Sequence, residues 1–177
     1  KDTVIADNTR VNLAAILSIF VILLLTFRSG SLPILLLLVI ESSIWINLTV
    51  PYFMDTQLHY TAYLIISSIQ LGATVDYAIL FSNRYLEHRA TTDKKTAAIH
   101  TVRDCTISIL TSGSILAVCG SIMGKISTSL IISQLGVLVG RGAIFSMILV
   151  LFVLPGLLIL CDGIIQKTTS KKKKTDK

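Results

Sequence analysis

An aspartate followed directly by a tyrosine, Asp76–Tyr77, stands inside the apolar run 60–83, where no other charged residue occurs. Asp76 lies about four positions past the middle of that run, which on a helix is about 6 Å off centre at ~1.5 Å per residue. A carboxylate at that depth in hydrocarbon costs at least ~2.5–3.5 kcal/mol on insertion scales. Where water is scarce the charged form is expensive, so such a group is suited to take up and release a proton. Gly72 at i−4 and Asn83 at i+7 share its helix face, and Gly72 lets a neighbouring helix approach closely. Tyr77 can donate a hydrogen bond to a carboxylate on an adjacent helix. An ionisable residue inside a membrane marks function by default; the competing reading is a structural acid paired with Arg141 or with a polar span.

Three further groups could support that chemistry. Glu41, flanked by Ser42 and Ser43, is near the centre of the run 32–50; it reads as a proton site, as a partner for Arg141, or as a protonated acid hydrogen-bonded between helices. Arg141, between Gly140 and Gly142, either snorkels to the headgroups or forms a salt bridge within the bundle. The run 105–124 is rich in hydroxyls, with Thr106, Ser108, Thr111, Ser112 and Ser114. Small residues of this kind glue membrane helices together; equally, Thr111, Ser112 and Ser114 could line a hydrated path to Asp76. His59, His88 and His100 share no metal-ligand spacing and read as solvated. Cys105, Cys119 and Cys161 read as small buried hydrophobes, neither a disulfide framework nor a zinc site. No cofactor is expected.

The elements that must position these groups are membrane helices. Of 177 residues, 53% are hydrophobic and only 15% charged, against roughly 25% charged in soluble domains. The five apolar stretches 11–27, 32–50, 60–83, 105–124 and 126–161 contain only Glu41, Asp76 and Arg141 among charged residues. A crossing helix needs about 20 apolar residues, and no period-2 alternation suggests a barrel. The last stretch is too long for one straight crossing, and glycines at 136, 140 and 142 suggest a split into a short re-entrant or interfacial lead-in and a span near 137–160. The expected fold class is therefore an all-α membrane protein of five transmembrane helices, with spans at about 11–27, 32–50, 60–83, 105–124 and 137–160. The five-helix domain covers 11–161. Residues 1–10 form a polar helix lead-in at the end of an extracytoplasmic domain, and 162–177 a basic tail.

Charge sets the topology. Twelve of the 16 Lys and Arg residues fall on one side: Arg28, the loop with Arg84, Arg89, Lys94, Lys95 and Arg103, and the tail with Lys167, Lys171–Lys174 and Lys177. The positive-inside rule places that side in the cytoplasm and the amino end outside. The net charge of +6 thus reads as a topology signal and a match to lipid headgroups, not as nucleic-acid binding. FRSGSLP at 27–33 reads as a tight cytoplasmic turn anchored by Arg28, with Pro33 opening the next helix. Tyr52, Phe53, His59 and Tyr60 fall where an outer aromatic belt is expected. KKTAAIHTVRD, within the loop 84–104, reads as a short amphipathic helix along the inner surface. The chain opens on Lys, so a longer protein is expected to contain it.

Three segments carry a resemblance. LGATVDYAILFSNRYLEHR (71–89) resembles the aspartate–tyrosine helix of the MMPL branch of the RND superfamily. LLLTFRSGSLPILLL (23–37) is similar to that family's "FRS" turn, and GRGAIFSMILVLFVLPGLLILCD (140–162) to its terminal span. The resemblance implies twelve spans in two similar halves, of which this chain would be the last five. It implies a proton relay at Asp76 and Tyr77, acting with a counterpart pair in the amino-terminal half. It also implies, as partners, that missing half, the bilayer, and a lipid or other hydrophobic substrate exported by the proton-motive force across a cytoplasmic membrane. Ala73 and Thr74 stand where the family often has Gly or a branched apolar residue.

Two other readings compete with the exporter. A sterol-sensing-domain-like module would bind lipid or regulate without transporting. An intramembrane aspartyl protease would need two facing aspartates, one preceded by Gly-x-Gly, whereas Asp76 is single in its span and follows Thr-Val. The chain is not expected to be an enzyme.

Overall fold

The computed structural model describes residues 2–27, 29–53 and 60–168, with side chains for Arg10, 12–27, 29–53 and 65–166. Arg28, His59, the Tyr60 side chain and the tail beyond 168 lie outside the described residues. So do the expected headgroup anchor of the first turn, half of the aromatic belt and residues 169–177 of the basic tail. That tail does not start at 162 as expected: 162–168 continue the last helix, with Asp162 buried against the bundle. The described chain is helical: α1 Asp2–Phe27, α2 Ser31–Phe53, α3 Tyr60–Arg89, α4 Lys94–Ile126, α5 Leu130–Ile148 and α6 Leu154–Thr168, with a π turn Leu149–Val153 joining the last two. Four helical rods, 31–53, 65–89, 94–126 and 130–166, are long and apolar enough to cross a membrane, and the apolar part of α1, Asn12–Phe27, is shorter. This is an all-α membrane fold of about five helices. Its outer surface agrees: Leu25, Ile107, Phe152 and Leu160 are each at least 70% exposed, a pattern suited to lipid and costly in water.

Two expected boundaries are different in the structure. KKTAAIHTVRD is not a separate helix lying along the surface. It forms the first three turns of α4, which runs unbroken for 33 residues, about 50 Å at 1.5 Å per residue. The reason is local. Asp93 caps α4 with its carboxylate accepting from the Lys95 N–H at 3.3 Å, and Ala97, Ala98, Thr101 and Cys105 form one buried face that continues into the span. The turn between α3 and α4 shrinks to residues 90–93.

Nor do the glycines at 136, 140 and 142 break the last stretch into a re-entrant lead-in and a span. They sit inside continuous helix because they form its contacts, Gly136 and Gly140 with α4 and Gly142 with Asn47 and Gln70. A Cβ on Gly120 would lie 2.6 Å from the Gly140 nitrogen and 2.7 Å from the Gly136 carbonyl oxygen, and one on Gly136 would lie 2.5 Å from the Gly124 nitrogen. Two Gly-x-x-x-Gly ridges, 120/124 on α4 and 136/140 on α5, thus bring the two backbones into direct contact. Ser133 reinforces the hairpin with a hydrogen bond to the Gly124 carbonyl at 2.5 Å. The π turn comes just before Pro155, where the Leu154 N–H donates to Leu149 one position further back than α-helical pairing requires. Proline in mid-helix clashes with the carbonyl four residues earlier and removes a donor, and a π turn absorbs that mismatch.

The core lies between these rods. Leu23, Leu36, Ile40, Phe81, Ile109, Val150 and Leu158 are among its buried residues.

Candidate functional site

α3 presents two faces with different chemistry. Ile65, Ile69, Gly72, Asp76, Leu80 and Asn83 recur every three or four residues and are all exposed. Asp76 is therefore on the outside of the five helices, in a stripe that is apolar but for Asp76 itself and Asn83 at its end, with Gly72 one turn away. A Cβ at Gly72 would meet nothing within 4 Å. Tyr77, one position on and 100° around the helix, is only 9% exposed. Its ring packs with Leu116 of α4 and Val139, Ala143 and Ser146 of α5 around a small void.

On the buried face of α3 a polar network joins three helices. Arg141 donates from Nε to Asn47 Oδ1 at 2.9 Å and from Nη2 to the Asn47 carbonyl at 3.0 Å. Asn47 Nδ2 donates to Gln70 Oε1 at 2.7 Å and to the Leu138 carbonyl at 3.0 Å. Gln70 Nε2 donates to Ser43 Oγ at 3.1 Å. Ser43 and Ser146 hydroxyls are 2.9 Å apart, Ser146 and Thr74 hydroxyls 2.7 Å apart, and Thr74 donates to the Gln70 carbonyl at 2.7 Å. Each hydroxyl has one proton, so the directions follow: Thr74 spends its proton on Gln70, Ser146 must donate to Thr74, and Ser43 to Ser146. Gly142 is required beside this network, since a Cβ there would lie 2.7 Å from Gln70 Oε1 and 2.8 Å from Asn47 Nδ2.

The expected site residues are thus separated. Arg141 points to Asn47, and an ion pair with Glu41 or Asp76 is not among the contacts of the described residues. Glu41 is half-buried and borders a cleft between α1, α2 and α3. Thr111 and Ser112 are exposed and return their hydroxyls to their own helix, at Ile107 and Ser108, at 2.7 and 2.6 Å. The close approach of α4 to α5 belongs to glycines, including Gly113 packed on Met147. Ser43, Asn47, Gln70, Thr74 and Ser146 are the residues that sequence reasoning missed. Their signal was present in the spacings 43/47 and 70/74/77, which place polar groups on one helix face.

At the end of the bundle that carries the 90–93 turn, a second cluster ties α3 to α6. Asp162, 5% exposed, accepts from Tyr85 Oη at 3.0 Å and from Arg89 Nε and Nη2 at 3.0 and 3.1 Å. Arg89 Nη1 also donates to the Thr92 carbonyl at 2.9 Å. His88 is not simply solvated: its Nε2 is 2.8 Å from Asp104 Oδ2, and its ring lies 5.6 Å from that of His100. Of the cysteines, Cys105 is buried, whereas Cys119 is exposed rather than inside the bundle.

The sequence profile of the MMPL family matches residues 1–177. No curated protein and no solved structure matches the chain.

Proposed function

From the premise that the chain belongs to the MMPL family, and so forms a transporter-type membrane module, we propose that it is half of a proton-motive-force-driven exporter of lipids or other hydrophobic compounds, with Asp76 and Tyr77 as the proton relay. The observation that carries this reading is the position of Asp76. A carboxylate on the outer face of a bundle, a few ångströms from mid-span, faces lipid unless something covers it, and that costs at least ~2.5–3.5 kcal/mol. The stripe around it is continuous and small at Gly72, so a partner helix can approach to backbone distance. Covered by the amino-terminal half of the transporter, in the same or a separate chain, Asp76 becomes an interior group at a seam between two bodies. Its charge can then change as the bodies rock against each other.

The basic end supports an orientation. Arg84, Arg89, Lys94, Lys95 and Arg103 cluster around the α3–α4 turn, while Lys125 is at the other end of α4. By the positive-inside rule the α3–α4 turn faces the cytoplasm and the α4–α5 turn lies outside, across a cytoplasmic membrane. The test is Asp76→Asn in the full transporter. The variant is expected to insert and accumulate normally and to lose export; full export by a correctly inserted variant removes the relay role.

A further inference from the structure

Glu41 belongs to neither of the polar clusters described above. It stands at mid-length of α2 on a stripe with Trp45, Leu48 and Tyr52, spaced by three or four residues, and this stripe forms one wall of the cleft. Asn12 of α1 and Ser67 of α3 close its sides, and the cavity is about 310 Å³. Small-molecule sites run from roughly 300 to 1,000 Å³, so this one holds a headgroup and the start of a chain, not a whole lipid.

Its chemistry is selective. Glu41 is the one carboxylate among the described lining residues, and none of them is basic. Trp45, one helical turn from Glu41, is 66% exposed, and Tyr52, at the far end of the cleft, 83%. A carboxylate at membrane depth with no basic residue among the described lining calls for a cation from the ligand, because an uncompensated charge there is costly. The exposed indole of Trp45 beside it attracts a cation through its quadrupole, and quaternary ammonium groups are the usual guests of such surroundings. An anionic head would be repelled by Glu41, and an uncharged one would leave the carboxylate unpaired.

We propose that this cleft binds an amphiphile whose head carries an ammonium group. The ammonium sits on Glu41 against the ring of Trp45, and the apolar chain runs over Leu48 and past Tyr52, about three turns further along α2, into the bilayer. The assignment concerns binding, and it stands or falls apart from export.

Trp45 is the single tryptophan of the chain, so its fluorescence reports on the cleft directly. The full chain in maltoside micelles is titrated with dodecyltrimethylammonium, lysophosphatidylethanolamine and lysophosphatidylglycerol. A saturable change with dodecyltrimethylammonium alone assigns the site to free cationic amphiphiles. One with lysophosphatidylethanolamine as well assigns it to a lipid headgroup. Lysophosphatidylglycerol, which has no ammonium, is expected to give none. Glu41→Gln is expected to weaken ammonium binding at least ten-fold, and Tyr52→Ala, at an exposed position that packs little, at least three-fold without loss of folding. Equal response to lysophosphatidylglycerol overturns the assignment, as does unchanged binding in either variant.

Discussion

Asp76 and Tyr77 are adjacent in the chain and yet belong to different surroundings: the carboxylate lies on the exposed stripe of α3, while the tyrosine ring is buried against α4 and α5. The pair therefore links the exposed stripe of α3 to the interior of the bundle. Substitutions at the two positions should separate accordingly.

Tyr77→Phe removes only a hydroxyl and keeps the ring's packing. Thermal unfolding of the variant should match the parent, while export by the full transporter should fall if the hydroxyl takes part in the relay. Tyr77→Ala should instead cost about 3–5 kcal/mol, the range for truncating a buried aromatic side chain. Wild-type export by Tyr77→Phe would leave the ring a packing role alone.

Gly72 offers a sharper test of the seam. Space around it is open in this chain, so Gly72→Leu should leave the stability of the five-helix chain unchanged or slightly raised, as helix propensity favours Leu over Gly by roughly 0.5–1 kcal/mol. In the full transporter the same substitution should impair assembly or export, because a bulky side chain would hold the partner helix away. Normal assembly and export would mean that no helix packs closely on this stripe.

The α4–α5 hairpin should tolerate very little at its glycines. Gly120→Ala or Gly136→Ala places a Cβ under 3 Å from backbone atoms, which cannot move aside as a flexible side chain can. Overpacking typically costs about 1–3 kcal/mol, and rigid backbone contact puts these sites at the upper end. Melting curves should show both variants clearly below the parent, with Gly156→Ala, where nothing lies within 4 Å, close to it.

The Arg89–Asp162 pair permits a double-mutant cycle. Asp162→Leu leaves Arg89 and the Tyr85 hydroxyl without their acceptor, and removing one partner of a buried pair costs about 3–5 kcal/mol. Because Arg89 is a quarter exposed, the lower end applies. Arg89→Met combined with Asp162→Leu should recover much of that loss. Strict additivity of the two substitutions would show that the pair does not couple α3 to α6.

The apolar runs made the helices and their order legible, because hydrocarbon admits few alternatives to a helix of that length. The boundaries were less legible, for a definite reason. Lys94–Asp104 reads as amphipathic whether it lies on a surface or continues a span, and only packing against a neighbour decides between them. Glycines 136, 140 and 142 likewise signal a break when α5 is read alone, and contact faces once its neighbours are beside it, α4 at 136 and 140 and the Asn47–Gln70 pair of α2 and α3 at 142. The stripe through Gly72, Asp76 and Asn83 was readable from spacing. The partner of Arg141 was not, since several polar groups compete for a guanidinium and only the fold brings Asn47 to it.

The hydroxyl chain that starts at the Gln70 side-chain amide ends at the carbonyl of Gln70 itself. Every proton in that circuit is already given, and its connection to Arg141 passes through two amides, Gln70 and Asn47, whose N–H bonds do not hand protons on as water or carboxyl groups do. Arg141 adds a fixed positive charge at the far end, which repels hydronium. The network is consequently a closed brace inside an otherwise apolar core, tying α2, α3 and α5 together with its donors and acceptors paired within itself. Asp76, on the exposed stripe of α3, stands outside that brace, so a substitution there is expected to leave the internal pairing intact.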